Sequence, residues 1–135
     1  MMSENELSLI EALHNTFFYF VEGLGEMALD ATKQKEQVGG AHAAWELQND
    51  VLDSGETVLR CAGPFLSQSE RMGVVSLLNK IRTLPPDALR SSDEALDHPA
   101  WEDLRREAAH LLARLGKPIA ENLSFFNNRP PTPRG

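Results

Sequence analysis

The chain has 135 residues, a hydrophobic fraction of 41% and a charged fraction of 24%, which excludes a wholly disordered protein and gives enough length for one domain to bury its own core. The one cysteine, Cys61, excludes an intrachain disulfide and points to a reducing cytoplasm; the acidic start Met1-Met2-Ser3-Glu4 is unlike a secretory leader, and no apolar run approaches the roughly 20 residues that span a bilayer. The formal net charge of −7 divides into −9 over residues 1–56, where Lys33 and Lys35 are the only bases, and +2 over the remainder, so the first half repels phosphate backbones and nucleic acid is not expected as a direct partner.

Leu7, Ile10, Phe17, Val21, Leu24 and Ala28 recur at helical spacing and predict a helix from Leu7 to Ala28, with Gly23 and Gly25 weakening its last turns. A loop is expected to follow, ending at Gly39-Gly40. Ala44, Leu47, Val51, Gly55, Val58 and Ala62 predict a second long helix over 41–62, unless Asp53-Ser54-Gly55 breaks it; Gly55 falls on the buried stripe, where it would let another helix approach. Gly63-Pro64 stops the chain, and Ser67-Gln68-Ser69-Glu70 has the spacing of a capping box.

A third helix follows to Thr83, with Val74, Leu77, Leu78 and Ile81 buried, and Pro85-Pro86 forbids its extension. Residues 85–97 read as a connector with one short helical turn. Pro99 suits the first position of a fourth helix running to Leu115, its core stripe Leu104, Ala108, Leu111 and Leu115, and Gly116 with Pro118 supplies a stop. Ile119, Leu123, Phe125 and Phe126 form a short final element. Residues 127–135 are proline-rich and are expected to be a disordered tail, Pro130-Pro131-Thr132-Pro133 being the alternative of a proline-rich ligand. The expected fold is all-α: one bundle of about four main helices over residues 1–126, packed up and down.

No motif carries an evident chemistry. Two Glu-x-x-His pairs, Glu11/His14 and Glu107/His110, have the spacing of di-iron bundle ligands, but His110 points away from its helix's apolar stripe and Glu11 away from its own, so no metal is expected. His14 reads as a boundary side chain with its nitrogen satisfied. No Gly-x-Ser-x-Gly turn or phosphate-cradling glycine loop occurs, Cys61 has no neighbouring histidine and should pack inertly, and His98 before Pro99 reads as a helix-start residue despite Asp97 beside it. No enzyme activity and no cofactor are expected.

The acidic faces are the clearest surface feature. Glu4, Glu11, Asn15, Glu22 and Glu26 lie along one line of the first helix, and Glu46, Asp50 and Asp53 along a line of the second, each away from the apolar stripe. Such lines ordinarily serve solubility; the alternative is an electrostatic docking surface for a basic partner. Trp45, at the edge of the second helix's stripe, is expected to pack at the boundary, with an interface anchor as the alternative.

Three stretches carry a resemblance: Ala44-Trp45-Glu46-Leu47-Gln48-Asn49-Asp50-Val51-Leu52, the run from Leu66-Ser67 to Leu84-Pro85, and His98-Pro99-Ala100-Trp101 with Leu104-Arg105. The segment from Ala44 to Leu115, about half the chain, resembles small bacterial immunity proteins of toxin-delivery systems, such as those of contact-dependent growth inhibition and polymorphic toxins. The resemblance implies a cytoplasmic, non-enzymatic protein that binds a cognate toxin domain and blocks its active site or substrate access. A regulatory or adaptor module that binds another cytoplasmic protein is the alternative. In either case Glu22, Glu26, Trp45, Glu46, Asp50 and Asp53 are the candidate contact residues.

Overall fold

A computed structural model describes residues 4–61 and 65–127; the proline-rich tail beyond Asn127, and Ala62, Gly63 and Pro64, lie outside the described residues. Among the described residues there are six α-helices and two 3-10 turns with assigned bounds, and no strand. The helices are α1 (Glu4–Ala28), α2 (Ala31–Gln37), α3 (Ala43–Cys61), α4 (Gln68–Arg82), α5 (Pro99–Arg114) and α6 (Gly116–Phe126). Four of them correspond to the expected bundle. The other two occupy segments read as a loop and as a short final element.

Side-chain contacts fix the directions. Arg71 Nη2 donates to Leu59 O at one end of α3/α4 and Gln48 Nε2 to Ile81 O at the other, so these two helices run antiparallel. Lys80 reaches Asp103 and Glu107 while Arg114 reaches Ser69, which makes α4 and α5 antiparallel too. A Cβ on Gly23 would meet Val51, whereas one on Gly55 would meet Phe20, and α1 and α3 are antiparallel by the same logic. α1, α3, α4 and α5 thus form an up-and-down bundle closed by α1 against α5.

The core follows the predicted stripes closely in α3 and α4. Leu47, Val51 and Val58 are buried in α3, and Val74, Leu77, Leu78 and Ile81 in α4. In α1 the buried arc is centred differently: Phe17, Phe20, Leu24 and Met27 are fully enclosed, while Val21 and Ala28 are only partly so. The expected stripe left out Phe20 and Met27 because α1 packs against α3 on one side and α5 on the other, which needs a wider apolar arc than a surface helix. Neither Gly23 nor Gly25 interrupts α1, and Asp53-Ser54-Gly55 does not break α3, where Ser54 Oγ donates back to Asp50 O at 2.7 Å.

Local signals set the helix starts. Ser67 accepts from Glu70 N while the Glu70 carboxylate accepts from Ser67 N, forming the expected capping box. His98 caps α5 by accepting from Ala100 N at 3.0 Å, with Pro99 at the first helical position. α5 ends at Arg114 with Leu115 as its cap, just before Gly116 and Pro118 as expected, and these two residues then occupy the first turn of α6, where proline's missing amide leaves no intrahelical bond unmade. The connector contains two 3-10 turns, Pro86–Ala88 and Asp93–Asp97, rather than one.

At Gly55 side chains of α4 and α1 press against the α3 backbone. A Cβ there would lie 2.8 Å from Leu78 Cδ2 and 3.0 Å from Phe20 Cε1, both on fully buried side chains. Gly55→Ala gains about 1 kcal/mol of helix propensity against about 1–3 kcal/mol of overpacking. A net loss of about 1 kcal/mol is expected from the two terms, measurable by urea unfolding. Greater stability in the variant would mean that α3 and α4 sit further apart.

Candidate protein-docking face

The close contact of α1 with α3 joins the two acidic lines into one surface. Gly23 faces Val51, and about one turn further along α1 Glu26 comes within electrostatic reach of Asp50 on α3 as well as of Glu22 on its own helix. Burial first, then the neighbouring charges of Asp50 and Glu22, push the Glu26 carboxyl above its usual value. Glu22, Glu46, Asp50 and Asp53 are exposed and Glu26 is half-buried. The lower part of the α1 line departs from the expectation. Glu11 and Asn15 are part-buried, and α6 lies along this end of α1, with Phe126 edge-on to Phe18; the side chain of Glu4 is outside the described set.

Ion pairing is uneven over the acidic side chains. Glu56 pairs with Arg82 at 2.7 Å, Glu107 with Lys80 at 2.6 Å, and Asp97 with Lys35 at 2.7 Å. Among the described residues Glu22, Glu26, Glu46 and Asp53 make no ion pair. Among the described residues these four acids of α1 and α3 are left without a counter-ion, whereas Glu56 of α3 and Glu102, Asp103 and Glu107 of α5 each have one.

No family model, curated protein or solved structure matches the chain. The site must be read from its own geometry.

Trp45 does not pack at the boundary as expected. It is 54% exposed, one of five large apolar side chains left in solvent among the described residues, because the α3 stripe of Ala44, Leu47 and Val51 already fills the interface with α1 and α4. Beside it His42, Leu89 and Ser91 complete an open hollow of about 370 Å3, in which Ser91 Oγ lies 3.3 Å from His42 Nδ1. Helical periodicity could not have found this hollow, since half of it comes from the connector. The signal present in the sequence was the tryptophan itself, set among polar neighbours.

The remaining candidates are placed as follows. His110 is exposed on α5, whereas Glu107 of the same Glu-x-x-His pair is held by Lys80. His14 faces α6, so the two pairs do not share an interior, and among the described residues no three His, Cys, Asp or Glu side chains converge as metal ligands would. Cys61, expected to be packed inertly, is exposed at the end of α3 beside an apolar groove lined by Leu9, Ile10 and Leu13. No helix among the described residues is long and apolar enough to cross a membrane.

Proposed function

We propose that this chain is a non-enzymatic binding protein of the immunity type, which docks a basic-surfaced toxin domain on the joined α1/α3 face. The observation that carries this reading is the unequal pairing of charge. Glu22, Glu26, Glu46 and Asp53 stand on this face without a counter-ion among the described residues, while Glu102, Asp103 and Glu107 of α5 each have one. Unpaired carboxylates on one rigid face attract a cationic partner over a Debye length and orient it before contact. The resemblance of residues 44–115 to immunity proteins supplies the class of partner, and a cytoplasmic location follows from the same reading.

The test needs the candidate toxin domain, sought first as the product of the gene immediately upstream. Reversing Glu46 and Asp53 to lysine should slow association by about tenfold at low salt and flatten its salt dependence, because both side chains point away from the core. Reversing Glu22 and Glu26 should have a comparable effect only if the partner spans both helices. Association rates unchanged in both double variants across a range of salt would refute the docking face.

A further inference from the structure

The hollow beside Trp45 narrows the chemistry of the partner, on the reading that this face binds a protein. The chain has two tryptophans, and they are treated oppositely. Trp101 is fully buried and its indole N–H donates to Ala88 O at 2.9 Å. Trp45 is 54% exposed, and among the described residues its indole N–H has no acceptor. An indole left half in water forgoes a large apolar burial and leaves its ring face available.

The hollow is at the lower end of the roughly 300–1,000 Å3 range of binding sites, a size for one or two side chains. Leu89 contributes an aliphatic surface to it, Trp45 an aromatic one, and the His42/Ser91 pair a polar rim. Next to Trp45 and one turn on from His42 stands Glu46, exposed on α3, with Asp53 about two turns further on, neither in an ion pair among the described residues. Arg90, the nearest base in the connector, lines a different cleft with Asp87, Glu94 and Asp97.

An apolar side chain would fill the hollow and leave the carboxylates unanswered. A lysine would answer the charge, but its ammonium is compact and strongly hydrated. A guanidinium meets both demands, since it is planar, stacks on an indole face and forks to a carboxylate. We propose that the hollow between α3 and the connector seats an arginine side chain of the partner protein, stacked on Trp45 with Glu46 as its counter-charge. Tryptophan and arginine are also the residues in which interface energy concentrates.

The test uses the full chain, labelled with 15N, and three amidated tetrapeptides as probes: tetra-arginine, tetra-lysine and an uncharged leucine-serine peptide. Tetra-arginine should move the Trp45 indole N–H resonance saturably and leave that of Trp101 in place. Tetra-lysine and the Glu46→Gln variant should each bind weaker by about threefold or more, the scale of an exposed cation–π contact. Trp45→Ala should abolish the response of the neighbouring His42 and Ser91 amides, with the unshifted Trp101 resonance certifying the fold.

Three outcomes would overturn the proposal: tetra-arginine moving amides of α1 and α3 without touching Trp45, the uncharged peptide moving Trp45 as strongly, or Trp45 shifting with protein concentration alone, which would make a second copy the occupant. Each leaves the charge-reversal experiment on Glu46 and Asp53 unaffected. Loss of the hollow as an arginine seat is thereby distinguishable from loss of the docking face.

Discussion

Arg105→Ala is expected to destabilise the protein by about 3 kcal/mol, because it orphans two buried acceptors at about 1–3 kcal/mol each. Arg105 is only 8% exposed. Its Nε and Nη2 both donate to Gln34 Oε1, at 3.1 and 2.9 Å, Nη2 also donates to Leu96 O, and Nη1 reaches the Glu102 carboxylate at 3.1 Å. Gln34 is fully buried in turn, and its Nε2 donates to Glu26 O and Met27 O at the end of α1. One guanidinium thus ties α5 to α2, to the second 3-10 turn and, through a glutamine, to α1. With a chain of this length, 3 kcal/mol corresponds to a drop in melting temperature of about 10 °C. Arg105→Lys should recover only part of the loss, since an ammonium cannot reproduce the fork. Melting of Arg105→Ala within a degree or two of wild type would show that these hydrogen bonds do not hold α2 in place.

That network also marks where the sequence stopped being readable. The helices α1, α3, α4 and α5 were legible because each repeats apolar residues at helical spacing over about two turns or more and carries start or stop signals such as Ser67/Glu70 and His98-Pro99. The seven-residue α2, Ala-Thr-Lys-Gln-Lys-Glu-Gln, has no apolar stripe at all. It exists because Asp30 caps it, accepting from Lys33 N at 2.9 Å, and because the buried face it offers is an amide, Gln34. A polar residue that is buried by pairing with another from 71 positions away leaves no periodic trace in either segment. Likewise Arg105 is a charged residue beside the apolar stripe of α5, and nothing in its own segment announces its burial. The candidate site was half legible for a related reason. Each acidic line could be drawn on its own helix, but their convergence depends on α1 packing antiparallel on α3 at Gly23, and the hollow beside Trp45 depends on where the connector lands.

The docking of α6 should be acid-sensitive through His14, and the geometry gives the sign. The His14 ring stacks on Phe125 with centroids 3.9 Å apart and meets Phe65 edge-on at 5.2 Å. Asn122, almost wholly buried, sends its Nδ2 to within 3.0 Å of both His14 O and His14 Nδ1. A backbone oxygen only accepts, so the atom facing it is the amide nitrogen, and the ring nitrogen beside that same group must be an unprotonated acceptor. Protonating His14 sets one N–H against another, and turning the amide over would instead point its oxygen at the carbonyl. Burial holds the His14 pKa below its usual value, partly offset by the charge of Glu121. A histidine with a lowered folded pKa contributes stability that is complete above the unfolded value of about 6.5 and is lost as pH falls toward the folded value. Glu26, whose pKa is raised, works in the opposite sense, favouring the folded state as the medium becomes acid, so the stability of the wild type alone would mix the two. The difference between wild type and His14→Phe isolates His14, because both proteins keep Glu26. At pH 8 the variant should be less stable by about 1–2 kcal/mol, the cost of leaving one buried amide donor of Asn122 unpaired. Between pH 7 and pH 5 that gap should narrow, because the unfolded wild-type chain takes up a proton at His14 that the folded chain resists, a loss the phenylalanine variant does not incur. Urea unfolding of both proteins at half-unit steps of pH measures it directly. A gap that stays constant over the whole range would mean that His14 titrates alike in the folded and unfolded chain, and that the Asn122 contact does not hold its ring neutral.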